Sequence, residues 1–168
     1  YSKYVNALHT YDYKVSEVVS TMSGAYNYDA VMDVQWPFGA GLSYTVFEYS
    51  DLKVLSGNGD FKSGDLLEFE VTVRNTGDRA GKESILLYSS DLVASVIPDV
   101  KRLRQFTRID LEPGESETVR LSFPADELAF VGRDGKWRLE KGEFRIACGG
   151  LSVMLNCTET KVWETPNI

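Results

Sequence analysis

Carboxylates are the side chains in this 168-residue sequence best placed to do chemistry, because 25 Asp and Glu residues offer pairs for acid–base work. Hydrolysis by two carboxylates needs them about 5–10 Å apart in a cleft. Few of these residues have a setting that suggests such a pair. Glu68, Glu70, Glu115, Glu117, Glu140 and Glu143 fall where strand alternation or turns place them in water, and Asp91 and Asp134 read as loop acids. Asn58-Gly59-Asp60 with Asp65 matches no calcium-loop spacing and reads as a plain turn. The one histidine, His9, cannot build a zinc site without further ligands at sensible spacing. No nucleophile elbow, phosphate-cradling loop, dinucleotide fingerprint or paired-histidine zinc helix occurs. The expectation is a chain with no catalytic, metal or cofactor site of its own.

The two cysteines pose a separate question. If Gly149-Gly150 is a two-residue hairpin turn, Cys148 faces Leu151, and Cys157 lies six residues further on. At about 3.4 Å per residue that is roughly 20 Å, whereas a disulfide needs Cα atoms within about 7 Å. Two free, partly buried thiols are expected. Asn156-Cys157-Thr158 fits the glycosylation sequon but falls inside the last strand and is discounted.

With 18 Lys and Arg against 25 acids the formal charge is -7, and basic residues cluster only at Lys101-Arg102-Leu103-Arg104. Nucleic acid and anionic membrane are therefore not expected as partners. No apolar run approaches the roughly 20 residues of a membrane helix, and Tyr1-Ser2-Lys3-Tyr4 has no signal-peptide pattern.

The elements that must position these groups fall into two regions. Eight of nine tyrosines lie in the first 49 residues, in an arm with no sustained period beyond a helical turn expected near Val15–Met22 and capped by Ser16. Such an arm cannot build its own core, so its aromatic side chains need a neighbour to bury against. From Phe47 onward short alternating strands separated by Gly, Asn, Asp and Pro turns predict an all-β sandwich. Leu67, Phe69, Val71 and Val73 alternate with polar residues, as do Val119, Leu121 and Phe123.

The Gly149-Gly150 turn sets Phe144 against Leu155, Ile146 against Val153 and Cys148 against Leu151, all on one face. Strand 84–90 is apolar on both faces, so its second face should be covered by the arm or by a neighbouring domain. Seven main strands are expected at 46–54, 66–75, 83–90, 103–111, 116–123, 142–148 and 151–158. A short pair is expected near 128–131 and 136–139, and the tail Trp163–Ile168 reads as a true end, because Pro166 and Asn167 cannot easily extend a strand. The division expected is an arm and junction over 1–45 and a sandwich over 46–168.

The junction Trp36-Pro37-Phe38-Gly39-Ala40-Gly41-Leu42-Ser43-Tyr44-Thr45 resembles the PFGxGLSYT segment of glycoside hydrolase family 3 enzymes of the β-glucosidase and β-xylosidase type. The arm segment Asn6–Tyr13 is similar to what precedes it there. Val71–Gly77 with Ala80–Glu83 resembles the family's VxVxNTGxxxGxE strand and turn. Leu87-Tyr88, Pro98–Phe106, Pro113–Ser116, Gly135–Trp137 and Gly142–Phe144 are similar to its LY, PxKxLxxF, PGES, GxW and GxF elements. Ala40 and Pro98 depart from the pattern, the first standing where an aromatic is usual. The resemblance implies a C-terminal immunoglobulin or fibronectin type III-like sandwich, and a parent that hydrolyses β-glucosides or related sugars with retention, in the periplasm or outside the cell. It places the catalytic aspartate and glutamate in domains upstream of Tyr1.

The partners implied are those upstream domains and the parent's carbohydrate substrate, with Trp36, Phe38, Leu42 and Tyr44 as domain-interface candidates. The rival reading is a free-standing sandwich that grips carbohydrate through its aromatic side chains. The alternation at 67–73, 119–123 and 144–155 supplies two apolar faces, so the chain should fold without metal or disulfide. Its thermal midpoint is expected to be unchanged by EDTA or by a thiol reductant.

Overall fold

The computed structural model describes residues 39–164. Residues 1–38 of the expected arm and junction, with the helical turn, His9, Trp36 and Phe38, lie outside them. Seven long strands form where alternation is strongest: β1 (Phe47–Val54), β3 (Leu66–Asn75), β4 (Gly81–Asp91), β5 (Arg102–Leu111), β6 (Ser116–Pro124), β9 (Gly142–Cys148) and β10 (Leu151–Cys157). Four short ones complete the set: β2 (Asp60–Phe61), β7 (Phe130–Val131), β8 (Trp137–Leu139) and β11 (Lys161–Trp163). The expected pair near 128–131 and 136–139 is β7 and β8, preceded by a 3-10 turn at Ala125–Leu128.

Sheet order is β1-β3-β6 in one layer and β2-β10-β9-β4-β5 in the other, with β11-β8-β7 as a small third sheet. This is an all-β sandwich. The inward side chains of β3, β6 and β9 alternate as their sequences do, and with alternate residues of the doubly apolar β4 they bury Phe69, Val71, Val73, Phe123, Ile85, Leu87, Phe144 and Ile146 in one core. Phe69 stacks on Phe123 at 5.7 Å and Phe61 meets Phe144 edge-on at 5.6 Å between ring centroids. The β9–β10 hairpin has the expected register, Phe144 opposite Leu155 and Cys148 opposite Leu151, around glycines whose φ angles of 55° and 85° only a primed turn accommodates. Cys148 and Cys157 are buried and unpaired.

Two outer strands carry irregularities. In β1 the pairing with β3 shifts between Ser50 and Lys53, where Asp51 takes a φ of 56°. In β5 Leu87 faces Gln105 while Tyr88 faces Leu103, so Arg104 is an extra residue that bulges the strand. Its Nε donates to Ser89 Oγ at 2.7 Å.

The turn after β3 is organised by one side chain. Asn75 is fully buried, and its Nδ2 donates to Arg79 O at 2.7 Å and Leu111 O at 3.0 Å. Its Oδ1 accepts from Thr45 Oγ1 at 2.6 Å and Gly77 N at 3.1 Å. The junction is thereby fastened to the β3–β4 turn and to the end of β5. Gly77 and Gly81 lie against Thr45 so closely that a Cβ at either position would collide with its side chain. This gives the sequence Asn75-Thr76-Gly77 a structural reason independent of resemblance. Asn75→Ala strands two carbonyls, one amide and one hydroxyl, and is expected to cost about 3–4 kcal/mol in urea denaturation.

Candidate interdomain surface

Of the described junction residues 39–45, only Thr45 is buried. Thr45 is buried on Asn75, while its neighbours Leu42, Tyr44 and Val46 are 89%, 92% and 63% exposed. Side chains of this size gain about 1.5–3 kcal/mol each when buried, so leaving three of them in water within five residues marks a surface with something to meet. Of the four interface candidates, Leu42 and Tyr44 stand in this exposed run, and Trp36 and Phe38 fall outside the described residues.

The outward face of β4 and β5 continues the apolar character. Leu86 pairs with Phe106, which is 71% exposed, and Lys101 Nζ sits 4.7 Å above the Tyr88 ring. The chain at Gly39 passes over this face so tightly that a Cβ there would lie 2.7 Å from Leu86 Cδ1 and 3.0 Å from Tyr88 Oη. The junction thus covers part of the second face of strand 84–90. Tyr49 Oη donates to Glu83 Oε1 at 2.7 Å beside the same spot, and burial pushes the phenol well above its usual range. Phe106 was not among the sequence candidates. Its signal was the large apolar residue opposite Leu86, visible only once the β4–β5 register is known.

The carboxylates sort differently from their reading as solvated groups. Glu140 is largely shielded: its carboxylate accepts from Ser95 N at 2.7 Å, Ser95 Oγ at 2.6 Å and Arg138 Nη1 at 3.4 Å. Burial pushes its pKa upward, but these donors outweigh it and hold it below the usual range. Alternation placed Glu140 in water, whereas the folded loop 92–98 supplies donors from 45 residues away. Glu70, also read as solvated, is mostly covered and lies 3.7 Å from Arg120. Asp134 keeps its place in an exposed turn and bonds Arg138 Nη2 at 2.8 Å. Asp91 is no loop acid but the last residue of β4, half-buried, where loss of solvent and the nearby Glu140 charge raise its pKa to about 6. Burial also raises the Cys148 thiol to about 11. Among the described residues no three His, Cys, Asp or Glu side chains gather as a metal site, and Glu140, held below its usual pKa by three donors, is poorly suited to act as a proton donor.

Paired sheets of this order and a match of residues 83–152 to the fibronectin type III-like domain family define the class: the sandwich is a fibronectin type III-like domain. Its relatives narrow the kind. Over 132 residues it is 42% identical to a lysosomal beta glucosidase of Dictyostelium discoideum, covering 74% of this chain and 16% of that protein. Over 118 residues it is 40% identical to a putative beta-xylosidase of Formosa agariphila, covering 70% and 15% respectively. The solved beta-glucosidase 3B of Thermotoga neapolitana in complex with alpha-D-glucose superposes with a TM-score of 0.70 at 33% identity, over 78% of this chain and 18% of that one. The chain is similar to part of these β-glucosidases and β-xylosidases, and it spans about one sixth of the length of such relatives.

A raised acid pKa means folding disfavours the ionised form of Asp91. That penalty is fully present above about pH 6 and fades as pH falls toward 3.8. Asp91→Asn is expected to raise the melting temperature at pH 8, with the gain over wild type shrinking toward pH 4 in calorimetric scans.

Proposed function

We propose that this chain is the non-catalytic C-terminal module of a retaining family 3 glycoside hydrolase. The parent acts on β-glucosides or related β-glycosides, in the periplasm or outside the cell. The module's work is to pack against the catalytic domains upstream in the same polypeptide and to stabilise them. The observation that carries this reading is the exposure of four large apolar side chains, Leu42, Tyr44 and Val46 beside the junction and Phe106 on the outer face of β5, which a neighbouring domain would bury. The small share of each relative's length that the chain matches, and those relatives' names, support the same reading.

In a parent of this kind the chemistry belongs to other domains. Arg138 and Ser95 hold Glu140, and Asp134 sits in an open turn, which leaves Asp91, raised to about 6 beside Glu140, as the one acid of the three whose removal must be tested against any turnover. The isolated chain is expected to release no chromophore from aryl β-glucosides or aryl β-xylosides, while the parent hydrolyses at least one. Turnover by the purified chain, lost on Asp91→Asn, would overturn the reading. Phe106→Asp should change the stability of the isolated chain by no more than about 0.5 kcal/mol. In the parent the same substitution is expected to lower the melting temperature by several degrees, because there it buries a charge.

A further inference from the structure

A second feature lies where β4 ends and β5 begins. A cleft of about 110 Å³ opens there, walled by the 94–99 loop on one side and by Phe130 and Val131 of β7 on the other. Its floor is fixed: Arg104 Nε donates to Ser89 Oγ, and Nη1 donates to Glu127 O at 2.5 Å. The loop wall is also held in place, since Ser95 is pinned to Glu140 at both its amide and its hydroxyl. A site so supported needs little ordering on binding.

The lining combines three kinds of group. Asp91 accepts one hydrogen bond, from Val93 N at 3.2 Å, and forms no ion pair among the described residues, so it retains acceptor capacity. Arg102, half exposed, touches Asp99 only loosely at 3.6 Å and keeps donors to spare. Ile97 and Val131, each about half exposed at 53% and 48%, and Phe130 form an apolar rim.

Charge decides what this lining fits. An anionic ligand would face two carboxylates, Asp91 and Asp99, a cationic one would face Arg102 and Arg104, and a small zwitterion that satisfied both would leave the apolar rim of Ile97, Phe130 and Val131 without a face to cover. A neutral ring with hydroxyls around its edge and C–H groups on its face avoids both conflicts. It can donate to Asp91, accept from Arg102 and lie between Ile97 and Phe130. We propose that this cleft is a binding site for a neutral pyranose, separate from the exposed apolar side chains of the junction and β5 and independent of the packing role assigned to them.

The test is titration of the 168-residue chain with cellobiose, followed by amide chemical shifts. Saturable shifts at Asp91, Ile97, Arg102 and Phe130 are expected, with a Kd on the order of 1–10 mM. Asp91→Asn and Arg102→Gln should each weaken binding at least about fivefold, equivalent to about 1 kcal/mol, with the fold verified by unchanged shifts in the β9–β10 hairpin. Asp110→Asn, away from the cleft on β5, should leave it unaltered. The absence of saturable shifts up to about 50 mM cellobiose would overturn the proposal. So would shifts confined to Leu42, Tyr44 and Phe106, or indifference to both cleft substitutions. Tighter binding of glucuronate or glucosamine than of cellobiose would overturn its neutral-ligand basis.

Discussion

The amide of Asn75 has no access to water, so its oxygen and both N–H groups must find partners within the protein. They find four, on three pieces of chain: the junction at Thr45, the β3–β4 turn at Gly77 and Arg79, and the end of β5 at Leu111. Its backbone adds two more links, accepting from Gly114 N and donating to Glu115 O at 2.9 Å each, which tie the β5–β6 turn to the same point. The sheets are held apart and aligned by their apolar faces, while junction, β3–β4 turn and the end of β5 meet at this side chain, with Thr76 N to Val46 O at 2.8 Å as a second tie between junction and turn. A low local dielectric makes each of its bonds stronger and each loss more costly. The junction therefore leaves the sandwich at a fixed point and direction, which is what a module needs if the exposed residues just before it are to meet a partner in register.

Those parts of the fold governed by local pattern were legible in the sequence. In β3, β6 and the β9–β10 hairpin the period of two, the turn residues and the burial all agree, so residues 144–155 could be paired one by one. The two-residue β2 and three-residue β11 carry no period to detect. β2 exists because Asp60 and Phe61 find β10 alongside, in parallel, 96 residues away in sequence. The same limit hid the surroundings of the acids. Alternation says which way Glu140 points but not that Ser95 will fold back onto it, and nothing local marks Asp91 as half-buried. Of the interface, Leu42 and Tyr44 were visible as large residues among glycines. Phe106 needed the β4–β5 register, which a bulge displaces by one residue.

The two exposed features draw on different physics. The exposed apolar side chains of the junction and β5 are suited to permanent burial against another folded surface. The cleft at the end of β4 is small, polar within and apolar at the rim, suited to a ligand that comes and goes. Asp91 belongs to the second kind. Its carboxylate is kept ionised at neutral pH against the cost of lost solvation, a cost that an uncharged side chain would avoid, and one that functional positions commonly carry.

The irregularities of the outer strands bear on how copies of this chain behave toward one another. Each layer ends in strands whose outer backbone groups have no partner within their sheet: β1 and β6 in one layer, β2 and β5 in the other. Left straight, such edges would invite a second molecule to extend the sheet, the first step toward fibrous aggregation. β1 is broken at Asp51 and β5 is bulged at Arg104, β2 is two residues long, and β6 carries Glu117 and Arg120 and stops at Pro124. No edge presents a long, flat, uncharged run. The same kinks that aim Arg104 at Ser89 also deny crowded neighbours a template on which to polymerise.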